Sequence, residues 1–152
     1  MPNSRTRVSP QQCTLLKALA MWKDAQTTNC GCFAIALYVA LYGAIQQYGY
    51  PDDTRMKALY RSLDRLEARC LLRKTRPVLS RVTANSAATW LGRPEFSITS
   101  EGLQYLSQCG EVESPNPAFA RLAALDRKPS LEYWDTRFQI LGRGVNYVTR
   151  RR

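Results

Sequence analysis

The run Pro51–Thr75, PDDTRMKALYRSLDRLEARCLLRKT, decides how the rest of the chain is read. Asp52 or Asp53 suits a helix N-cap, and an acidic first turn lies well against the helix dipole. From Thr54 to Cys70, Met56, Leu59, Leu63, Leu66 and Cys70 recur at spacings of three and four, with Tyr60 beside them. This predicts a helix with one buried stripe. Its other face carries Arg55, Lys57, Arg61, Ser62, Arg65 and Arg69, of which Arg61, Arg65 and Arg69 stack four apart as a basic ridge. Beyond it, Leu71–Lys74 and Val78–Thr83 are short and alternate in character, and read as strand segments around Pro77.

Working outward, residues 1–10 form a polar arm expected to be mobile, and Gln11–Ala25 has the helical recurrence Leu15, Leu16, Leu19, Trp22. Cys32–Tyr48 is the most apolar segment and reads as one central helix ended by Gly49. Downstream, Ala84–Pro94 reads as a loop and Glu95–Ile98 as a returning strand. Thr99 or Ser100 then caps a helix that Cys109 and Gly110 close. Residues 111–117 (EVESPNP) are expected as a linker. A short helix over Ala118–Leu125 and strands at Leu131–Trp134, Arg137–Leu141 and Val145–Thr149 follow. The fold class expected is mainly α with a small β-hairpin (α+β). The domain spans 11–110, and 118–152 is a short C-terminal α/β extension that offers a dimerisation element and a basic tail.

Hydrophobic residues make up 45% of the 152, enough to bury a core. The chain carries 22 Lys and Arg against 12 Asp and Glu, a net charge of +10. The excess is concentrated: residues 52–93 hold ten basic and four acidic side chains, whereas 94–152 are nearly balanced. A localised, Arg-rich excess points to a polyanion partner rather than to general solubility. The longest uncharged apolar run, Cys32–Ile45, is 14 residues, short of the roughly 20 needed to span a bilayer. With no apolar stretch behind the N-terminal charges, the expectation is a cytoplasmic protein without membrane partners, its cysteines reduced.

The sequence has no His, which removes the commonest general base and metal ligand, and no P-loop, GxGxxG or GxSxG motif. An enzyme, a metal site and a cofactor are therefore not expected. Cys30-Gly31-Cys32 is short of ligands for structural zinc. Cys13 and Cys30, near helix starts where a thiol pKa is lowered, are candidate redox-sensing thiols.

Two stretches resemble a known family. Tyr60–Lys74, YRSLDRLEARCLLRK, is similar to the "LxxLExxGLIxR" end of the reading helix in winged helix-turn-helix regulators, with Cys70 where a glycine is usual. Phe96–Leu106, FSITSEGLQYL, resembles the "YxLTxxGxxxL" segment that closes the wing in MarR-like and PadR-like proteins, matching at Ile98, Thr99, Gly102 and Leu106. The resemblance implies a third helix in the major groove, with Arg55, Arg61, Ser62 and Arg65 toward base edges. It implies phosphate contacts from Arg69, Arg73, Lys74, Arg76, Arg81 and Arg93. The function it implies is a sequence-specific double-stranded DNA-binding regulator, a homodimeric repressor. The dimer surfaces would be Cys32–Tyr48 and a tail containing Phe119, Leu122, Tyr133, Trp134 and Phe138. Two other classes fit the same composition. One is an RNA-binding or ribonucleoprotein accessory protein stacking bases on Trp90 and Tyr147. The other is a winged-helix adaptor for protein contacts alone.

Overall fold

The computed structural model describes residues 7–25, 31–45, 49–75, 94–125 and 139–141. Along them run α1 (Pro10–Ala25), β1 (Cys32–Phe33), α2 (Ala34–Tyr42), α3 (Asp53–Ala68), β2 (Leu72–Thr75), β3 (Glu95–Ile98), α4 (Ser100–Gln108) and α5 (Pro117–Ala123). The described part is mostly helical, with a three-stranded antiparallel sheet in the order β1-β3-β2. The α+β expectation holds at that level.

Proline at its first position and a reciprocal cap start α1. The Gln12 amide donates to Ser9 Oγ (3.2 Å), and the Ser9 amide donates to Gln12 Oε1 (3.1 Å). Leu15, Leu16, Leu19 and Trp22 are buried as their spacing requires. Residues 7–9 of the expected arm are tied down: Val8 is 6% exposed, and its amide donates to Tyr105 Oη at 3.4 Å.

The helix read over Cys32–Tyr48 is shorter and begins differently. Cys32 and Phe33 pair with Phe96 and Glu95 as β1, and the helix starts at Ala34. It stops at Gly43, not Gly49. Gly43 adopts φ 90°, which L side chains rarely take, and a Cβ there would lie 3.1 Å from Asn116 Nδ2. The Asn116 amide donates to the Ala40 carbonyl (2.8 Å), satisfying one of the acceptors that α2 leaves open at its end. Residues 111–116, expected as a linker, thus lie against α1 and α2. Thr14 Oγ1 donates to the Glu113 carbonyl, and Lys17 Nζ to Ser114 Oγ.

Asp52 caps α3, its side chain accepting from the Arg55 amide at 2.9 Å. Leu59, Leu63 and Leu66 face inward and Met56 is half-buried. Two residues assigned to this stripe are not part of it. Tyr60 is 41% exposed, because one residue past Leu59 swings it about 100° off the buried line. Cys70 is exposed, because the helix has already ended at Ala68. Cys70 sits at φ 61°, with its amide donating to the Glu67 carbonyl (2.9 Å) and the Leu71 amide to the Leu66 carbonyl (3.0 Å). That is the paired hydrogen-bond pattern of a left-handed helix stop, made here without glycine.

β2 pairs with β3 in the register Leu72↔Ile98 to Thr75↔Glu95. Thr99 then caps α4 by accepting from the Gly102 amide (3.0 Å), while its own hydroxyl donates to the Cys70 carbonyl (2.6 Å). A Cβ on Gly102 would collide with the Leu71 carbonyl oxygen and lie 2.7 Å from Ile98 Cγ1. The glycine is required because α4 starts in direct contact with the chain leaving α3.

One core unites these elements, with Leu15, Leu37, Leu63, Phe96, Phe119 and Ile140 among its most buried side chains. The strand expected over Arg137–Leu141 is instead helical where it is described, at 139–141. Ile140 and Leu141 enter the core there, and so short an apolar run carries no period of its own. The strands expected at Val78–Thr83, Leu131–Trp134 and Val145–Thr149 lie outside the described residues. Among the described residues no helix is long and apolar enough to cross a membrane.

Two substitutions test this frame. Gly102→Ala should cost about 1–2 kcal/mol of stability, read as a lower denaturant midpoint, because a clash of up to about 3 kcal/mol outweighs the ~1 kcal/mol gain in helix propensity. A rise would show that the contact with Leu71 is not tight. Cys70→Gly should raise stability by about 0.5–1 kcal/mol, by removing the left-handed cost at a helix stop. Thermal melting of the two proteins side by side reads it.

Candidate nucleic-acid interface

Two tyrosines of α2 set the start of α3. The Asp52 amide donates to Tyr38 Oη (3.0 Å), and the Arg55 guanidinium lies 4.8 Å from the Tyr42 ring centroid. Tyr42 Oη also accepts from Gln11 Nε2 (3.2 Å), joining α1 to the same corner. Arg55 is therefore stacked on α2, a cation–π contact worth about 0.5–1 kcal/mol where exposed.

At about 100° per residue the remaining charges of α3 separate into two flanks. Arg61, Arg65 and Arg69 wind along one, Glu67 and Tyr60 lie on the other, and Lys57 sits at the boundary between them beside Asp53 and Asp64. Lys57 reaches back to Asp53 (3.2 Å), but both side chains are largely exposed and such pairs contribute little. Arg61 Nε donates to the Lys57 carbonyl at 3.4 Å, leaving most of the guanidinium outward. The helix is thus a two-signed surface, not a uniformly basic one. Asp64 and Glu67 were in the sequence and narrow the basic face to one side.

That basic flank borders a cleft of ≈ 600 Å³ lined by Arg7, Ser9, Gln11, Gln12, Ser62, Arg65, Ala68 and Arg69. Three arginines and several hydroxyl- and amide-bearing residues line it, and among the described residues no Asp or Glu does. Arg7 was read as part of a free arm. The signal for its placement was Ser9-Pro10-Gln11-Gln12, the capping box that fixes where the arm joins α1.

Arg73, exposed on β2, lines a different cleft of ≈ 550 Å³, beside Lys23, Glu95 and Glu101. The structure does not bring it together with Arg65 and Arg69. Lys74, its neighbour, is half-buried. Arg76, Arg81, Arg93 and Cys30 lie outside the described residues.

Of the candidate thiols, Cys13 has Cys109 Sγ 3.7 Å from its own sulfur. Its pKa is not lowered but raised, from 9.0 to about 11, first by burial and then by the hydrogen bond and charge of Cys109. The expected lowering fails because the Ser9 side chain already satisfies the Gln12 amide and the Ser9 carbonyl the Cys13 amide, leaving neither to hold a thiolate.

Four of the apolar residues in the segments expected to dimerise lie in the protomer's own core. Leu37 and Val39 of α2 and Phe119 and Leu122 of α5 are buried in the common core. Tyr133, Trp134 and Phe138, like Trp90 and Tyr147, lie outside the described residues. Comparison of the chain with protein families, with curated proteins and with solved structures finds no match.

Alkylation by iodoacetamide, followed residue by residue by mass spectrometry, checks the thiol environment. Exposed Cys70 should be labelled well before Cys13 near neutral pH. The Cys13 rate should keep climbing as pH rises toward about 11 instead of levelling off near 9.0, because only the thiolate reacts.

Proposed function

We propose that this protein is a sequence-specific double-stranded DNA-binding regulator of the winged helix-turn-helix type. The observation that carries the proposal is the exposed basic flank of α3, continuous with the cleft that Arg7, Arg65 and Arg69 share. Three further features support it. Helices α1, α2 and α3 are followed by the antiparallel pair β2–β3, the order the family requires. Leu59, Leu63 and Leu66 seat α3 on the core while leaving its charged side outward. The helix stop at Cys70 and the contact at Gly102 fall at the two places where the sequence resembles the family.

In this reading Lys57, Arg61 and Arg65 face the major groove, where an arginine fork pairs with guanine O6 and N7. Arg7 and Arg69 grip the flanking phosphates, and Arg55 orients the helix from its place on Tyr42. The acidic flank of Asp64 and Glu67 is held off the backbone by like-charge repulsion, so the helix has one favoured roll in the groove. A two-fold operator would call for two copies of the chain. With α2 and Phe119 buried, a homodimer would use surfaces other than those.

Titration against a selected duplex, unrelated duplexes and single-stranded RNA, at two salt concentrations, tests the proposal. Arg61→Ala and Arg65→Ala should each cost about 1–3 kcal/mol on the preferred duplex and leave weak non-specific binding nearly intact. Arg7→Ala should weaken all duplexes alike and reduce the log–log salt slope by about 0.9. Equal affinity for every duplex, unchanged in the Arg61→Ala and Arg65→Ala proteins, overturns sequence-specific reading by α3. Tighter binding to single-stranded RNA overturns the choice of DNA.

A further inference from the structure

Cys13 and Cys109 lie 96 residues apart in sequence, yet their sulfurs approach to 3.7 Å where the first turn of α1 meets the C-cap of α4. Both are half-buried, so a small reagent can reach them. The approach left to a disulfide is under ~2 Å, since bonded sulfurs stand about 2.05 Å apart. Gly110, next to Cys109, has open space around it, so the end of α4 is not wedged against closing that distance. We propose that Cys13 and Cys109 are a dithiol pair that a low-molecular-weight disulfide oxidises to an intramolecular bond joining α1 to α4.

The reaction proceeds in two exchanges. One cysteine, as thiolate, attacks oxidised glutathione, forming a mixed disulfide and releasing one glutathione thiolate. The second cysteine gives up its proton and attacks the protein sulfur of that mixed disulfide, releasing the other. Two protein thiols are oxidised and one glutathione disulfide is reduced to two glutathiones. The preference of Cys13 for the neutral thiol makes the chemistry slow at neutral pH and the reduced pair durable.

The bond would fasten a turn that already has two attachments. Ser9, Gln11 and Gln12 line the cleft against α3, and Val8 is hydrogen-bonded to Tyr105 of α4. Oxidation therefore adds a covalent tie between α1, whose start carries Arg7, and α4. The inference does not depend on the nucleic-acid reading, because both parts of its test are made without DNA.

Full-length protein is incubated with oxidised glutathione, then analysed by intact mass, non-reducing peptide mapping and thermal melting. The expected product has lost two hydrogens, contains a Cys13–Cys109 cross-linked peptide, and melts about 10 °C higher, as closure of a long loop predicts. Dithiothreitol should reverse both changes. Cys70→Ser should keep the cross-link and the shift, whereas Cys13→Ser and Cys109→Ser should lose them. A glutathione adduct persisting on Cys13 or Cys109, a bond to another cysteine, or a cross-link with unchanged or lower melting would overturn the proposal. The peptide map of the native protein decides the pairing even if a serine variant fails to fold.

Discussion

The structure depends on how the chain leaves α3. At Cys70 the backbone turns left-handed, and within two residues it has satisfied the end of α3, begun β2 and offered the Leu71 carbonyl to the Thr99 amide at 3.2 Å. Thr99 returns a hydroxyl hydrogen bond to the Cys70 carbonyl and caps α4, whose Gly102 abuts Leu71. Four elements, α3, β2, β3 and α4, are fixed by this junction of a few residues. Its hydrogen bonds are directional, and together with the close packing of Leu59, Leu63 and Leu66 they set the orientation of α3.

That orientation gives the charge pattern its meaning. A helix with four basic and three acidic side chains has little net charge, and averaged over its surface it would attract a polyanion weakly. Held by Tyr38 and Tyr42 at its start and by the Cys70 junction at its end, it presents its basic flank beside Arg7 and its acidic flank elsewhere. The gathering of arginines at the cleft, not the total of +10, is what distinguishes this face from the rest of the described surface.

Much of this was legible in the sequence where the determinants are local. The bounds of β3, caps narrowed to Asp52 or Asp53 and to Thr99 or Ser100, and the inward leucines of α3 follow from cap chemistry and period alone. What was not legible was fixed by partners far along the chain. Cys32 and Phe33 look helical until Phe96 and Glu95 offer them a strand, and α2 ends at Gly43 because Asn116 fits against it. Arg7 joined the site because a capped α1 brings it beside α3, and Cys109 became the neighbour of Cys13 only when α1 and α4 packed together. The acidic flank was different in kind. Asp64 and Glu67 were visible, and helical geometry alone places Asp64 along one edge of the ridge and Glu67 further round the helix.

The most direct test of the account is an amide chemical-shift map of the full chain as duplex DNA is added. The account predicts that the largest shifts fall on residues 57, 61, 65 and 69 of α3 and on Arg7 and Ser9, with smaller changes across α5 and residues 111–116. Shifts concentrated on the β2–β3 sheet or α5, with α3 silent at saturating DNA, would contradict it.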